Sequence, residues 1–262
     1  VYLGGAGNVL NNLLAIGLNS NLITIANTNK LHFLNKKIRS KIKLINDNYF
    51  QDIKKVRYIS GNKHIIRVDH EKKYILPNKY NSKIKNLLQK ESKKSNLVII
   101  SDYNKGFLTN QNIPLILRIL NKKDKKIFID SKRSNLEIFK NVFVIKINND
   151  EACNYFKIKD IYDKSEYKKI YDFLIKNKIK NLIVTTGKHG AVLFNNREYV
   201  YIRNYKQSEI YDVSGAGDTF LSYLVFGFMC GLDIKYSITL ANHASFYAIS
   251  KSGISSIKLS DL

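Results

Sequence analysis

Cysteine, histidine and acidic side chains are scarce in this chain, and each shortage closes off a class of function. Only two of the 262 residues are cysteines, Cys153 and Cys230. They offer neither a disulfide framework nor a metal-binding spacing, and a reducing cytoplasm is the expected compartment. The five histidines, His32, His64, His70, His189 and His243, show no ligand spacing, so packed or surface imidazoles are the expected reading. No apolar run approaches the length of a membrane span, and no stretch reads as a secretory leader. A P-loop and a complete G-x-G-x-x-G are also missing. Acidic residues are outnumbered, 21 Asp and Glu against 44 Lys and Arg, which leaves a net charge of +23. Such an excess normally points to nucleic acid or a membrane surface. Here it is diffuse, with lysines set among Asn, Ile and Tyr along the whole length, as in Asn121-Lys-Lys-Asp-Lys-Lys126. No basic run is interleaved with a stacking platform, so a solvated lysine-rich surface is expected, with neither nucleic acid nor membrane as partner.

Apolar material is plentiful. It makes up 44% of the chain, enough for a sizeable core, and the length suits one α/β domain with a small appendage. The chain is organised around Ile210-Tyr-Asp-Val-Ser-Gly-Ala-Gly-Asp-Thr-Phe220, which runs into the apolar segment Leu221–Met229. A glycine-bearing turn directly before a helical pattern leaves first-turn N–H groups unpaired, and the helix dipole adds partial positive charge. That makes an anion seat. Gly215 and Gly217 have no side chain to keep a phosphate off those amides, and the Asp218 carboxylate in the first turn faces whatever they hold. The plainer reading, a glycine turn capped by an aspartate, fits the same residues.

Asp-Val-Ser-Gly-Ala-Gly-Asp-Thr resembles the D-T-x-G-A-G-D block of the ribokinase-like (PfkB) sugar kinases. The resemblance implies that Asp218 is the catalytic base, that Gly215, Ala216 and Gly217 form the anion hole for the transferred phosphoryl group, and that Asp212 helps hold a monovalent cation such as K⁺. Gly4-Gly-Ala-Gly-Asn-Val-Leu-Asn-Asn-Leu-Leu-Ala-Ile-Gly17 reads as a glycine turn opening a helix, with Val9, Leu13 and Ile16 at helical spacing. It is similar to the family's G-G-A-x-N-V block, which implies sugar contacts for Gly4, Gly5 and Asn8, with Asn12 as a weaker candidate. In that family a first core strand and a lid hairpin precede this block. The chain opens on Val1-Tyr-Leu without them, so an N-terminally truncated kinase domain spanning residues 1–262 is the expectation.

Residues 41–75 are expected to form a small β lid. Within them, Lys55–Glu71 is two strands joined at Ser60-Gly-Asn62. An exposed hairpin with charged residues outside is the plainer reading. Its pattern is also similar to the lid of one PfkB subgroup, the D-glycero-β-D-manno-heptose-7-phosphate kinases. A phosphorylated sugar needs cations in its pocket, and Arg57 and Arg67 are the candidates. Asp102-Tyr-Asn-Lys-Gly106 follows the apolar strand Asn96–Ser101, at the carboxyl end where open α/β sheets bind ligands. It resembles the subgroup's S-D-Y-x-K-G, which implies a phosphate contact for Lys105 and a substrate or cation contact for Asp102.

The remaining blocks follow the family's order. Asp130 and Lys132 resemble its D-P-K, and Asn148-Asn-Asp-Glu151 its N-x-x-E, where the Asn and Glu organise Mg²⁺ and the nucleotide phosphates through water. Asn148 and Glu151 also read as a capping box for the next helix. Thr186, Gly187 and Gly190 resemble the nucleotide turn T-x-G-x-x-G, and Asn242 falls on the A-N-x-A positions near adenine. The implied architecture is a three-layer α/β/α fold with a mainly parallel sheet. The implied reaction is ATP-dependent phosphorylation of heptose 7-phosphate at the anomeric hydroxyl, in a kinase that dimerises through its lid. The H-x-G-H site that an adenylyltransferase fused to such a kinase carries is not among these residues, and an adenylyltransferase domain or partner, fused or separate, stays open. Two alternatives stay open: another PfkB sugar or nucleoside kinase, and a non-catalytic phosphosugar- or nucleic-acid-binding protein.

Overall fold

The computed structural model of the chain describes residues 3–26, 33–60, 63–72, 74–196, 198–204, 214–250, 257 and 259–261. Strands β5 (Leu97–Asp102), β6 (Lys126–Ser131), β7 (Val144–Asn148) and β8 (Asn181–Thr185) are parallel neighbours. Two antiparallel strands, β9 (Ala191–Asn195) and β10 (Tyr199–Ile202), complete a six-stranded sheet of order β10-β9-β8-β7-β6-β5. Successive side chains along a strand go to opposite faces. On one face Ile127, Ile129, Ile145, Leu182 and Val184 pack with helices α3 (Asn81–Glu91), α4 (Asn112–Asn121), α5 (Asn149–Phe156) and α6 (Tyr167–Asn177). On the other, Phe128, Val144 and Ile183 pack with α1 (Ala6–Ala15), α7 (Ala216–Met229) and α8 (Ile234–Ile249). Both faces are covered, which is why these strands are continuous apolar runs. Each such side chain, fully buried, contributes roughly 1.5–3 kcal/mol. The expected three-layer α/β fold with a mainly parallel sheet is the one observed.

The N-terminal part departs from expectation in three ways. Ile42–Ile45, placed at the start of the lid, is instead strand β2 of a separate parallel pair with β1 (Leu22–Ile25). The lid hairpin is therefore β3 (Lys54–Ser60) with β4 (Lys63–His70) alone. The apolar run Asn21-Leu-Ile-Thr-Ile-Ala26 reads in sequence as a buried strand, yet strand β1 within it is buried only at Ile25. Helix α2 (Lys36–Ser40) was not anticipated, since it buries no residue and carries no apolar period; Asn35 starts it by accepting the Ile38 N–H at 2.9 Å.

Among the described residues β1 pairs only with β2, and β5 only with β6. The open edges of both strands face one cavity of about 2440 Å³, whose apolar end is lined by Leu22, Ile23, Leu97 and Ile99. Its polar end lies at the carboxyl ends of the central strands, where α7 begins.

Candidate active site

Gly215 is the N-cap of α7, held at φ 82°, and no side chain caps the helix. The left-handed backbone suits only glycine without strain, and the uncapped first turn lies at the cavity, which Gly215, Gly217 and Asp218 line. Gly217 is packed closely: a Cβ there would lie 3.1 Å from the Lys146 ammonium. A side chain would fill the cradle between the amides and that cation, so the turn fits an anion such as a phosphoryl group.

Asp218, in the first turn of α7, is 5% exposed. Its Oδ2 accepts from Asn8 Nδ2 at 2.9 Å and its Oδ1 from the Tyr103 hydroxyl at 2.5 Å. Burial pushes the carboxyl above its ordinary value, opposed first by the Tyr103 and Asn8 hydrogen bonds, and the nearby Asp130 and Lys146 pull in opposite directions. A buried carboxyl whose affinity for a proton is raised by burial and moderated by two donors suits the work of a general base. The Tyr103 phenol is pushed up by burial and by Asp218, so it stays protonated.

Lys146 was not singled out from the sequence. It sits in the apolar run Val144-Ile-Lys-Ile-Asn148, on the same face of β7 as Val144 and therefore towards α7. There it pairs with Asp130 at 2.9 Å, both side chains largely buried. Strand alternation could have shown it, because a lysine inside a two-faced apolar strand has to be paired. Tyr103 was missed for a different reason: its block was read for the charges on either side. Lys132 lies with its ammonium 4.7 Å from the centre of the Tyr103 ring.

The lid brings one of its two arginines to this turn. Arg57 donates to the Ser214 hydroxyl at 2.7 Å, next to the Gly215 cap. Arg67, directly opposite Arg57 in the hairpin, also lines the cavity but is bound to Asp69 at 2.9 Å. Lys105 lines the cavity as well and is tied to Glu71, at the end of the lid, at 2.5 Å. Gly4 and Gly5, just ahead of α1, and Asn8 in its first turn line it too.

Other candidates have structural partners. Asp102 shares its strand face with Ile100, which packs in the α3–α4 core, and is consumed in a buried pair with Arg133. Arg133 also donates to Asn110 and to the Leu108 carbonyl, so this pair braces the loop after β5. Asn12 is not at the cavity: it is buried between α1 and α7 and donates to Thr219 at 3.4 Å. Asn242 is likewise buried and donates to the Ile202 carbonyl at 3.0 Å, tying α8 to β10. Gly190 is required by packing, since at φ 103° its Cβ would lie 2.1 Å from the Ile202 carbonyl. Thr186 bonds to Gly190 through its backbone and lines a second cavity of about 460 Å³ with Lys188 and Tyr201, whereas Gly187 lines the large one.

Asn148 and Glu151 form the expected capping box on α5 and still line the main cavity. Among the described residues no group of three or more His, Cys, Asp and Glu could hold a metal ion by itself. The donor set instead suits Mg²⁺ carried by phosphates and held by one or two carboxylates. Asp212 lies outside the described residues.

This geometry pairs a buried carboxylate with an uncapped helix start and places cations around both, which is equipment for phosphoryl transfer. Residues 1–261 match the family described as pfkB family carbohydrate kinase. The chain belongs to that family. This carbohydrate kinase is 30% identical to the bifunctional protein HldE of Aliarcobacter butzleri, the match covering 99% of this chain and 55% of that protein. It is 31% identical to HldE of Nitratiruptor sp., over 100% and 56% respectively. The kinase thus spans about half the length of the curated relatives it matches. Phosphofructokinase-2 from Escherichia coli, solved in complex with potassium, superposes with a TM-score of 0.83 at 14% identity, covering 98% of this chain and 84% of that one. Adenosine kinase from Sinorhizobium meliloti gives 0.71 at 15%, covering 95% and 78%. At these identities the structures share a fold with this chain. No helix among the described residues is long and apolar enough to cross a membrane.

Proposed function

We propose that the chain phosphorylates D-glycero-β-D-manno-heptose 7-phosphate at its anomeric hydroxyl, with ATP as donor, giving the 1,7-bisphosphate. The observation that carries this reading is the Asp218 carboxylate, buried beside the uncapped start of α7 with Arg57 reaching the same turn. In the proposed mechanism Asp218 accepts the hydroxyl proton as the sugar oxygen bonds to the terminal phosphorus of ATP, and the bond to ADP breaks. The amides of Gly215, Ala216 and Gly217, with Lys146, hold the charge on the transferring oxygens. Mg²⁺ bound with the nucleotide would neutralise its phosphates, and Asn148 and Glu151 would hold it through water. Asp130 and Lys132 would flank the phosphates and Gly187 would contact the nucleotide, and Asp212, on the resemblance to the family motif, would help hold a monovalent cation.

A sugar that already carries phosphate is favoured by the lid. Arg57 and Arg67 stand directly opposite each other at the cavity wall, and because Asp69 offsets Arg67 while Arg57 meets the neutral Ser214 hydroxyl, the Arg57 guanidinium is the one suited to pair with a phosphate. Lys105 adds a third cation at the cavity wall. Tyr58 and Ile66, paired across the hairpin, are 55% and 53% exposed. That exposed apolar pair supports the proposal that two copies pair through their lids. The match to bifunctional proteins over half their length agrees with a kinase that works beside an adenylyltransferase domain or partner in the cytoplasm. Turnover on a panel of sugars with and without phosphate tests the substrate. Selective use of heptose 7-phosphate is expected; equal turnover of unphosphorylated ribose or fructose would replace this reading with another PfkB activity.

A further inference from the structure

Among the described residues Tyr103 and Asn8 are the cavity side chains that hydrogen-bond the carboxylate of Asp218, and Tyr103 has no role in the scheme above. Its hydroxyl donates to Oδ1 at 2.5 Å while Asn8 donates to Oδ2 at 2.9 Å. The ring is fixed from two directions. Lys132 stands 4.7 Å from its centre, and Gly5, at φ 54°, approaches so closely that a Cβ would lie 3.2 Å from the ring edge. We propose that Tyr103 is the positioning residue for the base, with the bare backbone of Gly5 as the surface that seats its ring.

Each carboxylate oxygen has about two lone-pair sites, so one donor on each fixes the plane of the group and still leaves a site for an acceptor hydroxyl. A hydrogen bond to the ionised form also favours that form, against the burial that disfavours it. The phenol does not compete for the acceptor's proton, because burial and the neighbouring carboxylate keep it protonated. The charged groups facing this pair are Asp130 and Lys146 on the sheet, Glu151 on α5 and Lys132 after β6. None of them touches an oxygen of Asp218 among the hydrogen bonds seen. Gly5, expected to contact sugar, thereby gains a reason to be glycine that involves no ligand.

The inference rests on Asp218 being the base, and the experiment separates the two. Tyr103→Phe and Gly5→Ala, made in the natural full-length protein, are compared by steady-state kinetics with ATP and heptose 7-phosphate across pH. Loss of the phenol's hydrogen bond raises the carboxyl further, so the acid limb of kcat/KM moves up by roughly one pH unit. The loss of kcat, about tenfold near neutral pH, shrinks at higher pH, while KM for ATP and the melting temperature stay at wild-type values. Gly5→Ala pushes the ring off Oδ1 and moves the limb the same way, and the double variant moves it no further than Tyr103→Phe alone. A wild-type acid limb in Tyr103→Phe overturns the proposal, as does a kcat that rises at every pH, which would make the phenol a competitor of the acceptor. If Asp218→Asn turns over normally, the base assignment itself fails, and that result is read independently of Tyr103.

Discussion

The region around β6 to β9 and the region around β1 to β4 use similar residues and reach different ends. In the first, isoleucines, leucines and valines lie between two helical layers and are almost all fully buried. In the second, comparable stretches such as Leu22–Ile25 and Ile42–Ile45 pair only with each other, and the lid hairpin exposes Tyr58, Ile65 and Ile66. Apolar content therefore did not decide which strands became core. Cover on both faces did, and the first region has it. The active site lies on the seam: Asp218 and Lys146 belong to the covered region, Arg57 and Arg67 to the open one.

The sharpest way to probe that division is at its centre. Asp218→Asn is expected to lower kcat by about 10²–10⁴-fold while ATP binding, measured by calorimetry, stays nearly intact. Turnover close to wild type would remove Asp218 as base and with it the claim that the covered half performs the chemistry.

Amide hydrogen exchange compares the two regions directly. Amides of β7 and β8 should exchange only through global unfolding, and those of β1 to β4 through local openings of much lower free energy, with rates orders of magnitude faster. Equal protection in both regions would mean that the open strands are as well supported as the central ones.

The lid arginines sharpen the contrast within the open region. Arg57→Ala, which removes the contact to Ser214, should raise KM for the phosphosugar by one to two decades, as expected for a charged hydrogen bond of about 1.5–3 kcal/mol. Arg67→Ala should have a smaller effect, because Arg67 is 48% exposed and already bound to Asp69. KM for ATP should not change in either. Equal effects of the two variants would indicate that the hairpin rearranges around its ligand.

The smallest effect expected is on stability. Burial holds the Asp218 carboxyl above its ordinary value, so the folded state binds its proton more tightly than the unfolded chain does. Its contribution is most favourable below the unfolded carboxyl value and is lost as pH rises through the raised folded value. Asp218→Asn should therefore melt at a higher temperature than wild type at neutral pH, with the difference closing on acidification. A melting temperature that falls at neutral pH would show that the hydrogen bonds from Asn8 and Tyr103 outweigh the burial penalty.

Local signals were legible without the structure. The Asn148–Glu151 capping box and the glycine starts of α1 and α7 follow from side chains within a few positions of one another, which is the range over which caps and helical periods act. The strand order and the crossing of the chain from face to face were legible only as a class of fold. Tertiary structure decided which candidate residues meet. Asn8 and Asp218 are 210 positions apart and share a hydrogen bond, while Asp102, which also lines the cavity, spends its carboxylate on a buried pair with Arg133. Alternation along β5 and β7 sets which residues share a face, but which face receives α7 depends on how distant helices pack. For that reason the sequence by itself determined the anion turn, its aspartate and the glycines around them. Only the folded chain decided that Lys146 and Tyr103 join that aspartate, and that Asn12 and Asn242 serve as buried struts.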